Sequence, residues 1–542
     1  MALRDPQAAE LADWLRQRLG PGAQLCSDSR RVVPGDAFMA YPGERADGRA
    51  HVAAAIERGA AAILVEAQGQ GVHALVASGA AGQAAVAQTS AWPVPLREVT
   101  GLKSLCGPIA SCFHGHPSDA LDVVGVTGTN GKTSCTHWIA QGLNMLEMPC
   151  AVIGTLGAGQ TGAALQDFGL TTPDALALQT LLAQMRDEAQ VRAVAIEASS
   201  IGLMQYRLAG TRMAVAVFTN LTRDHLDVHC TMQSYAAAKA QLFAWPGLRA
   251  AVINLDDPWS GTMIQALHPS VPCIGTTHMA SMHRGLPMRQ LVAEEIEQTP
   301  TGMKVRLGGD FGHARFETTL VGAHNVANLL SVCAAWLAMG HELQACVPVI
   351  EALRPVPGRL QPVVLDGSDG TDLPLVLVDY AHTPDALEQV LMALEPLAQA
   401  RGGKVWCIFG AGGDRDPGKR PQMARVAQAR AAHVVITSDN PRSESPDRIL
   451  DEIAAGLTRS PDLRESDRAA AIDWTVRQAR ACDLILVAGK GHETYQDIAG
   501  QRLPFSDEVQ ARNALQRRLA GTTGAAGAAN RAHGVPGEVA GV

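Results

Sequence analysis

The chain has 542 residues, more than one hydrophobic core accommodates, so two to four domains are expected. Its 47% hydrophobic and 18% charged residues describe an ordinary globular protein and exclude a disordered or fibrous one. A net charge of −8 excludes nucleic acid as the default partner, and no apolar run is long enough for a membrane span.

The chain opens MALRDPQAAELADWL, without the basic-then-apolar pattern of a leader, and its eleven cysteines form no CxxC pair. A reduced, cytoplasmic setting is therefore expected. The first hundred residues carry short strands and helices, among them AAAIERGAAAILVEAQ (53–68), and end near the proline-bearing loop TSAWPVPLREVTG (89–101). Strand-like runs follow at LDVVGVTG (121–128), VRAVAIEASS (191–200), MAVAVFTN (213–220) and AAVINLDD (250–257). A second group falls at PLVLVDYAH (374–382), KVWCIFGAGG (404–413), AHVVITSDN (432–440) and DLILVAGKG (483–491). Segments of helical spacing such as PDALALQTLLAQM and RPQMARVAQARAA lie between them. This alternation predicts an α/β protein with two parallel sheets covered by helices, with ligand groups gathered at the carboxyl ends of the strands. RPVPGRLQP (354–362) marks a second boundary. The domains expected are therefore 1–100, 101–355 and 356–520, with the Gly/Ala-rich stretch 521–542 as a disordered tail.

GVTGTNGKTS (125–134) joins a strand to a helix through a glycine-rich turn, where backbone N–H groups and the positive helix end cradle phosphate. Lys132 would neutralise the β/γ-phosphates and Thr133 would hold Mg²⁺, although Val126 replaces the first glycine of the strict loop spacing. Glu197 ends the next strand and suits a magnesium ligand or a solvated acid; Ser199 and Ser200 suit substrate donors or a helix cap. TNLTRDHLDVH (219–229) clusters Asp224, His225, Asp227 and His229 as metal or acid–base candidates. Lys239, on a helix, reads by itself as a surface lysine. Downstream, FGAGGDRDPGKRP sets Arg415, Lys419 and Arg420 beside a glycine turn, and SDNPR offers Arg442 to pair a carboxylate through two parallel bonds. AGKGHE (488–493) adds another glycine-flanked basic site, with Glu493 able to hold an ammonium group.

VTGTNGKT, TNLTRDHLD, GAHNVANLL, GRLQ, DYAHTPDAL, GAGGDRDPGKRP and AGKGHE together resemble the Mur ligases of peptidoglycan synthesis, over roughly residues 25–515. SDSRRVVPGDAFMA, GERADGR and DNPR are similar to the branch that adds meso-2,6-diaminopimelate to UDP-MurNAc-L-Ala-D-Glu. The resemblance implies a small N-terminal α/β domain for the UDP substrate, a central P-loop-type ATPase domain and a C-terminal Rossmann-like domain. It implies an ATP-dependent amide ligase working through an acyl phosphate, with Mg²⁺ and ATP, no nucleic acid or membrane partner, and a monomeric state.

The same resemblance implies roles. Lys132, Glu197, His225 and Lys239 would be catalytic, with Thr133, Glu197, His225 and a CO₂-derived carbamate on Lys239 serving magnesium. Gly128, Thr129, Asn130, Gly131, Lys132, Thr133, Ser134, Asn325, Arg359, Asp379 and His382 would hold ATP. Ser27, Ser29, Glu44, Arg45, Ala46, Thr171, Thr172, Ser199, Gln205 and Arg207 would hold the UDP-muramoyl dipeptide. Arg415, Asp439, Asn440, Pro441, Arg442, Gly489 and Glu493 would hold diaminopimelate. Many relatives carry histidine where this chain has Ile201, so no role of that histidine transfers. The rival enzyme readings are folylpolyglutamate synthase, disfavoured by the UDP-type N-terminal domain and DNPR, and a sister Mur ligase adding D-Glu or D-Ala-D-Ala, separated again by DNPR. A binding protein without turnover would be expected to lack Lys132, Glu197 or Lys239, all of which are present.

Overall fold

The computed structural model describes residues 4–44, 46–68, 92–279, 287–299, 302–320, 322–365 and 373–531. Arg45 and residues 89–91 of the proline-bearing loop lie outside them.

The phosphate-loop strand Asp122–Thr127 buries Val123, Val124 and Val126 on opposite faces, as the interior of a parallel sheet requires. Ala193–Glu197 and Met213–Phe218 flank it in parallel register. Cys150–Gly154 lies beyond the first of these, and Ala250–Asn254 and Cys273–Thr277 lie beyond the second. Gly157–Gln160 closes one edge of the ten-stranded sheet antiparallel; at the other, Arg289–Thr299 continues the parallel run and Gly302–Gly309 and Ala314–Thr318 follow it antiparallel. One face is covered by helices Lys132–Met145 and Ala323–Ala338, whose Trp138 and Trp336 sit in a core with Val124 and Val215. The opposite face packs Leu178 and Leu182 of helix Ala175–Asp187 against Val194 and Phe218.

The second sheet has six strands in the order Gln361–Pro362, Leu375–Asp379, Leu484–Ala488, Val405–Phe409, His433–Thr437 and Leu463–Glu465. All eight strand-like runs read from the sequence are strands of these two sheets. A buried ion pair ties the second sheet to the last helix: Arg468 Nε and Nη2 donate to Asp507 at 2.7 and 2.8 Å, and both side chains are 0% exposed. The same guanidinium donates to Ser438 O and Ala488 O, at the carboxyl ends of the two strands that flank Val405–Phe409.

The N-terminal sheet is parallel, in the order Leu25–Cys26, Ala37–Ala40, Ala62–Glu66, Leu96–Val99. This unit runs past the boundary expected at residue 100. Helix Leu102–Phe113 packs Leu102, Cys106, Ile109 and Ala110 against Leu11 and Leu15 of helix Pro6–Arg16. An apolar helical face goes with the core that covers it, and loop composition did not reveal which core that was. The expected tail differs as well. The last helix runs Asp507–Arg531, carried by alanines of high helix propensity, and residues 532–542 lie outside the described residues. No helix among the described residues is long and apolar enough to cross a membrane, and all eleven cysteines are free thiols.

Candidate active site

The loop after strand Asp122–Thr127 folds back on its neighbour at residues 219–222. Thr129 N donates to Asn220 O, Asn130 N to Asn220 Oδ1 at 2.9 Å, and Thr219 Oγ1 to Asn130 O at 2.6 Å. Gly131 starts the helix with φ +83°, and a Cβ there would lie 2.4 Å from Asn328 Oδ1. Lys132 Nζ donates to Gly128 O at 2.9 Å and to Thr129 O at 2.8 Å. Lys239 is not on the surface: it is 1% exposed, and its Nζ donates to the same Gly128 carbonyl at 2.7 Å. Burial first, then the neighbouring Lys132 charge, pushes the Lys239 amine well below the usual lysine range. Burial also lowers Lys132, opposed by Glu197 and Asp224.

Glu197 is buried at the next strand end, with Oε1 accepting from Thr155 N at 2.8 Å and Oε2 from Thr155 Oγ1 at 3.1 Å. Thr155 Oγ1 in turn donates to Thr171 Oγ1. Thr172 Oγ1 donates to Glu197 O at 2.7 Å and pairs with Ser199 Oγ at 2.8 Å, while Arg207 donates to Thr172 O and Gln205 Oε1. Gln205 Nε2 donates to Glu44 of the N-terminal unit, beside Ala46. Ser29 is buried in the same unit, and Ser27 hydrogen-bonds Tyr41. Of the residues expected to hold the dipeptide, Glu44, Gln205, Arg207, Thr172 and Ser199 thus form a connected path to Glu197.

The second sheet contributes from across the junction. Arg359 Nη2 donates to Thr133 Oγ1 at 3.0 Å, and its guanidinium lies 4.6 Å from the Tyr380 ring centre. Asp385 Oδ2 accepts from Asn130 Nδ2 at 3.1 Å. Asp379 is raised by burial and accepts from Leu360 N and Ala381 N; His382 bonds Tyr380 O and is pushed down to about 4 by burial. Asn325 and Asn328 are one helical turn apart and hydrogen-bonded, and Ser134 is buried in the loop helix.

The residues expected to hold the amino acid gather where strands His433–Thr437 and Leu484–Ala488 end. Asp439 Oδ1 accepts from Asn440 N, and Asn440 Nδ2 donates to Glu493 Oε2 at 2.8 Å. Gly489 lies against Asp439, and Pro441 against Gly413. Arg442 has φ +51°; its N donates to Asp497 O and its O accepts from Ala499 N, so the hairpin Tyr495–Ile498/Gln501–Pro504 holds its backbone. Its Nη1 donates to Gly413 O at 2.7 Å, leaving Nε and Nη2 without a hydrogen bond among the described residues. Arg415 is exposed on the neighbouring glycine loop.

Three family models match along the chain: the Mur ligase family catalytic domain at 23–114, the Mur ligase middle domain at 126–336, and the Mur ligase glutamate ligase domain at 358–491. The UDP-N-acetylmuramoyl-L-alanyl-D-glutamate–2,6-diaminopimelate ligase of Ralstonia nicotianae is 49% identical over 527 residues, 95% of this chain and 98% of that one. The chain belongs to the Mur ligase family. A solved structure of a ligase of the same name matches with TM-score 0.61 at 33% identity, covering 92% of this chain and 95% of that one. The MurF ligase of Thermotoga maritima, solved with ADP, shares the fold at TM-score 0.60 and 15% identity, over 92% of this chain and 98% of that one.

Within this Mur ligase, the Asp/His cluster read from TNLTRDHLDVH divides. Asp224 and His225 lie together at 3.4 Å near Lys132 and Lys239, whereas Asp227 is exposed and His229 packs on Tyr235 and Ser200. Burial lowers His225, favouring a neutral ring with a free lone pair. Among the described residues no cluster of three His, Cys, Asp or Glu side chains could hold a metal alone. The donor set of Thr133 hydroxyl and Glu197 carboxylate nevertheless fits Mg²⁺, which takes one or two protein oxygens and draws the rest from phosphate and water. Sequence reasoning missed Asn220, Asn328 and Asp385. All three stand inside quoted motifs, TNLTRDHLD, GAHNVANLL and DYAHTPDAL.

Proposed function

We propose that this Mur ligase is the ATP-dependent, cytoplasmic enzyme that joins meso-2,6-diaminopimelate to UDP-MurNAc-L-Ala-D-Glu in peptidoglycan synthesis. One observation carries the reading. The phosphate loop, the path from Arg207 to Glu197 and the Arg442 cluster all stand at the carboxyl ends of two sheets, and Arg359 bridges them at Thr133. The D-glutamyl γ-carboxylate attacks the γ-phosphate of ATP, giving an acyl phosphate and ADP; the amine of diaminopimelate then displaces phosphate to form the amide.

Lys132 and the N-terminus of helix Lys132–Met145 offset the phosphate charge, with Asn325, Asp379 and His382 completing the ATP contacts. Arg207, Gln205, Thr171, Thr172 and Ser199 orient the dipeptide. Thr133, Glu197 and His225 would hold Mg²⁺, which supplies charge neutralisation between the two anions that must meet. Burial and the Lys132 charge favour the neutral Lys239 amine, the form that adds CO₂, and the resulting carbamate would support that site. Arg442 presents Nε and Nη2 as a fork to the carboxylate that distinguishes diaminopimelate from lysine.

The test is phosphate release with ATP, Mg²⁺ and UDP-MurNAc-L-Ala-D-Glu, comparing meso-diaminopimelate with L-lysine. Turnover with diaminopimelate alone is expected; silence with both amino acids removes the reading.

A further inference from the structure

Lys490 follows the strand Leu484–Ala488 and is wholly buried, 0% exposed. A lysine is rarely buried without a partner for its charge. Its Nζ donates to Glu493 Oε2 at 2.7 Å and to Asn440 Oδ1 at 3.0 Å, and lies 5.7 Å from the Tyr495 ring centre. Asn440 is fully engaged: Oδ1 also accepts from Asp497 N at 3.0 Å, and Nδ2 donates to Glu493 Oε2 at 2.8 Å. Two donors therefore converge on Oε2 of Glu493, and among the described residues no hydrogen bond reaches Oε1.

We propose that Lys490 is a positioning residue for amino-acid selection, clamping Oε2 of Glu493 so that Oε1 is the oxygen presented to the ammonium group of the incoming amino acid. The proposal rests on the ligase reading above and extends it to a residue that touches no substrate. A free glutamate side chain samples several rotamers and loses that freedom on binding. Glu493 has lost it already, because Lys490 and Asn440 fix the carboxylate plane before the ligand arrives. The clamp also carries a positive charge, so Glu493 and Lys490 together are neutral. An amino acid is then held through one directed bond at Oε1 rather than by net charge, which favours ligands whose ammonium reaches that oxygen while Arg442 takes a carboxylate.

A purely structural latch between the turn after Leu484–Ala488 and the turn at Asn440 would use the same bonds, and the test separates the two. Steady-state kinetics on the full-length protein compare wild type, Lys490→Met, Glu493→Gln and the double variant, with ATP, Mg²⁺ and the UDP-dipeptide. Lys490→Met is expected to raise KM for diaminopimelate about tenfold or more, with KM for ATP and the UDP-dipeptide within about twofold of wild type. The double variant is expected to match Glu493→Gln within about twofold, because the proposed effect of Lys490 runs through Glu493 while Asn440 Oδ1 keeps its bond from Asp497 N. The double variant also leaves no unpaired buried charge, so it decides the question if Lys490→Met fails to fold.

An unchanged KM for diaminopimelate overturns the proposal. So does a rise in all three KM values with a lowered Tm, a double variant about tenfold worse than Glu493→Gln, or a double variant that does not fold. Wild type that releases phosphate with another amino acid overturns the substrate reading instead, and the same comparison is then made with that amino acid.

Discussion

Removing the guanidinium of Arg442 tests both its chemistry and its backbone. Arg442 is half-buried, and one nitrogen is committed to Gly413 O. Truncating one partner of a buried, hydrogen-bonded charge pair costs about 2–5 kcal/mol. At about 1.4 kcal/mol per decade, that lowers kcat/KM for diaminopimelate by roughly 30-fold to a few thousandfold. The backbone gives an internal control. At φ +51° a residue with a Cβ bears about 1 kcal/mol of strain that glycine does not. Arg442→Gly is therefore expected to be as stable as Arg442→Ala or more so, reversing the usual order, while both lose diaminopimelate use equally. The assay is phosphate release at varied diaminopimelate, with ATP and UDP-dipeptide saturating, beside a thermal melt of each variant. Retention of kcat/KM within about threefold in both variants would refute the pairing argument. A clear melting deficit of Arg442→Gly relative to Arg442→Ala would refute the strain argument alone.

Three other outcomes are expected. Gly131→Ala places a Cβ 2.4 Å from Asn328 Oδ1 at φ +83°, so KM for ATP should rise at least tenfold (an order-of-magnitude figure) with KM for diaminopimelate unchanged, read from initial rates. Arg468→Met strands the wholly buried Asp507 and should cost about 3–5 kcal/mol in urea unfolding, most of it recovered by Arg468→Met/Asp507→Leu. Burial pushes His137 and His382 down to about 4 and His492 to about 3, so the unfolded chain takes up these protons first as pH falls below the ordinary histidine range. Their folded pKa values are depressed, so stability is fully present above about pH 6.5 and is lost as pH falls toward 4, with a ceiling of roughly 3 kcal/mol for the buried His137. Urea midpoints that stay flat or rise between pH 6.5 and 4 would contradict this.

What the sequence made legible follows from how local each feature is. The phosphate loop is encoded in ten consecutive residues, and the strand before and helix after it formed as read. The eight core strands were legible because parallel strands buried on both faces are continuous apolar runs. Lys239 was illegible from its own neighbourhood, since YAAAKAQLF sits on a helix without a marked apolar face and only the meeting with Gly128 buries it. The family resemblance, not the residue, supplied that reading. Arg468 and Asp507 are likewise separated in sequence and sit in unremarkable polar stretches, so their pairing follows only from the packing of the last helix on the second sheet. The reach of the N-terminal unit beyond residue 100 was hidden for the same reason, because Leu102 and Ile109 do not announce which core they join.

Gly358 and Gly491 bring two loops of the second-sheet domain into backbone contact. A Cβ on Gly358 would lie 2.3 Å from His492 N, and one on Gly491 would lie 2.9 Å from Gly358 O. Arg359, which reaches the phosphate loop, and Glu493, among the residues expected to hold the amino acid, each stand within two residues of this crossing. On the roles proposed for Arg359 and Glu493, nucleotide grip and amino-acid choice share one fulcrum and cannot drift independently. A lineage that enlarged either glycine would have to resettle both ligands together, and a second-site change restoring one should be found, by selection, near the residues that serve the other.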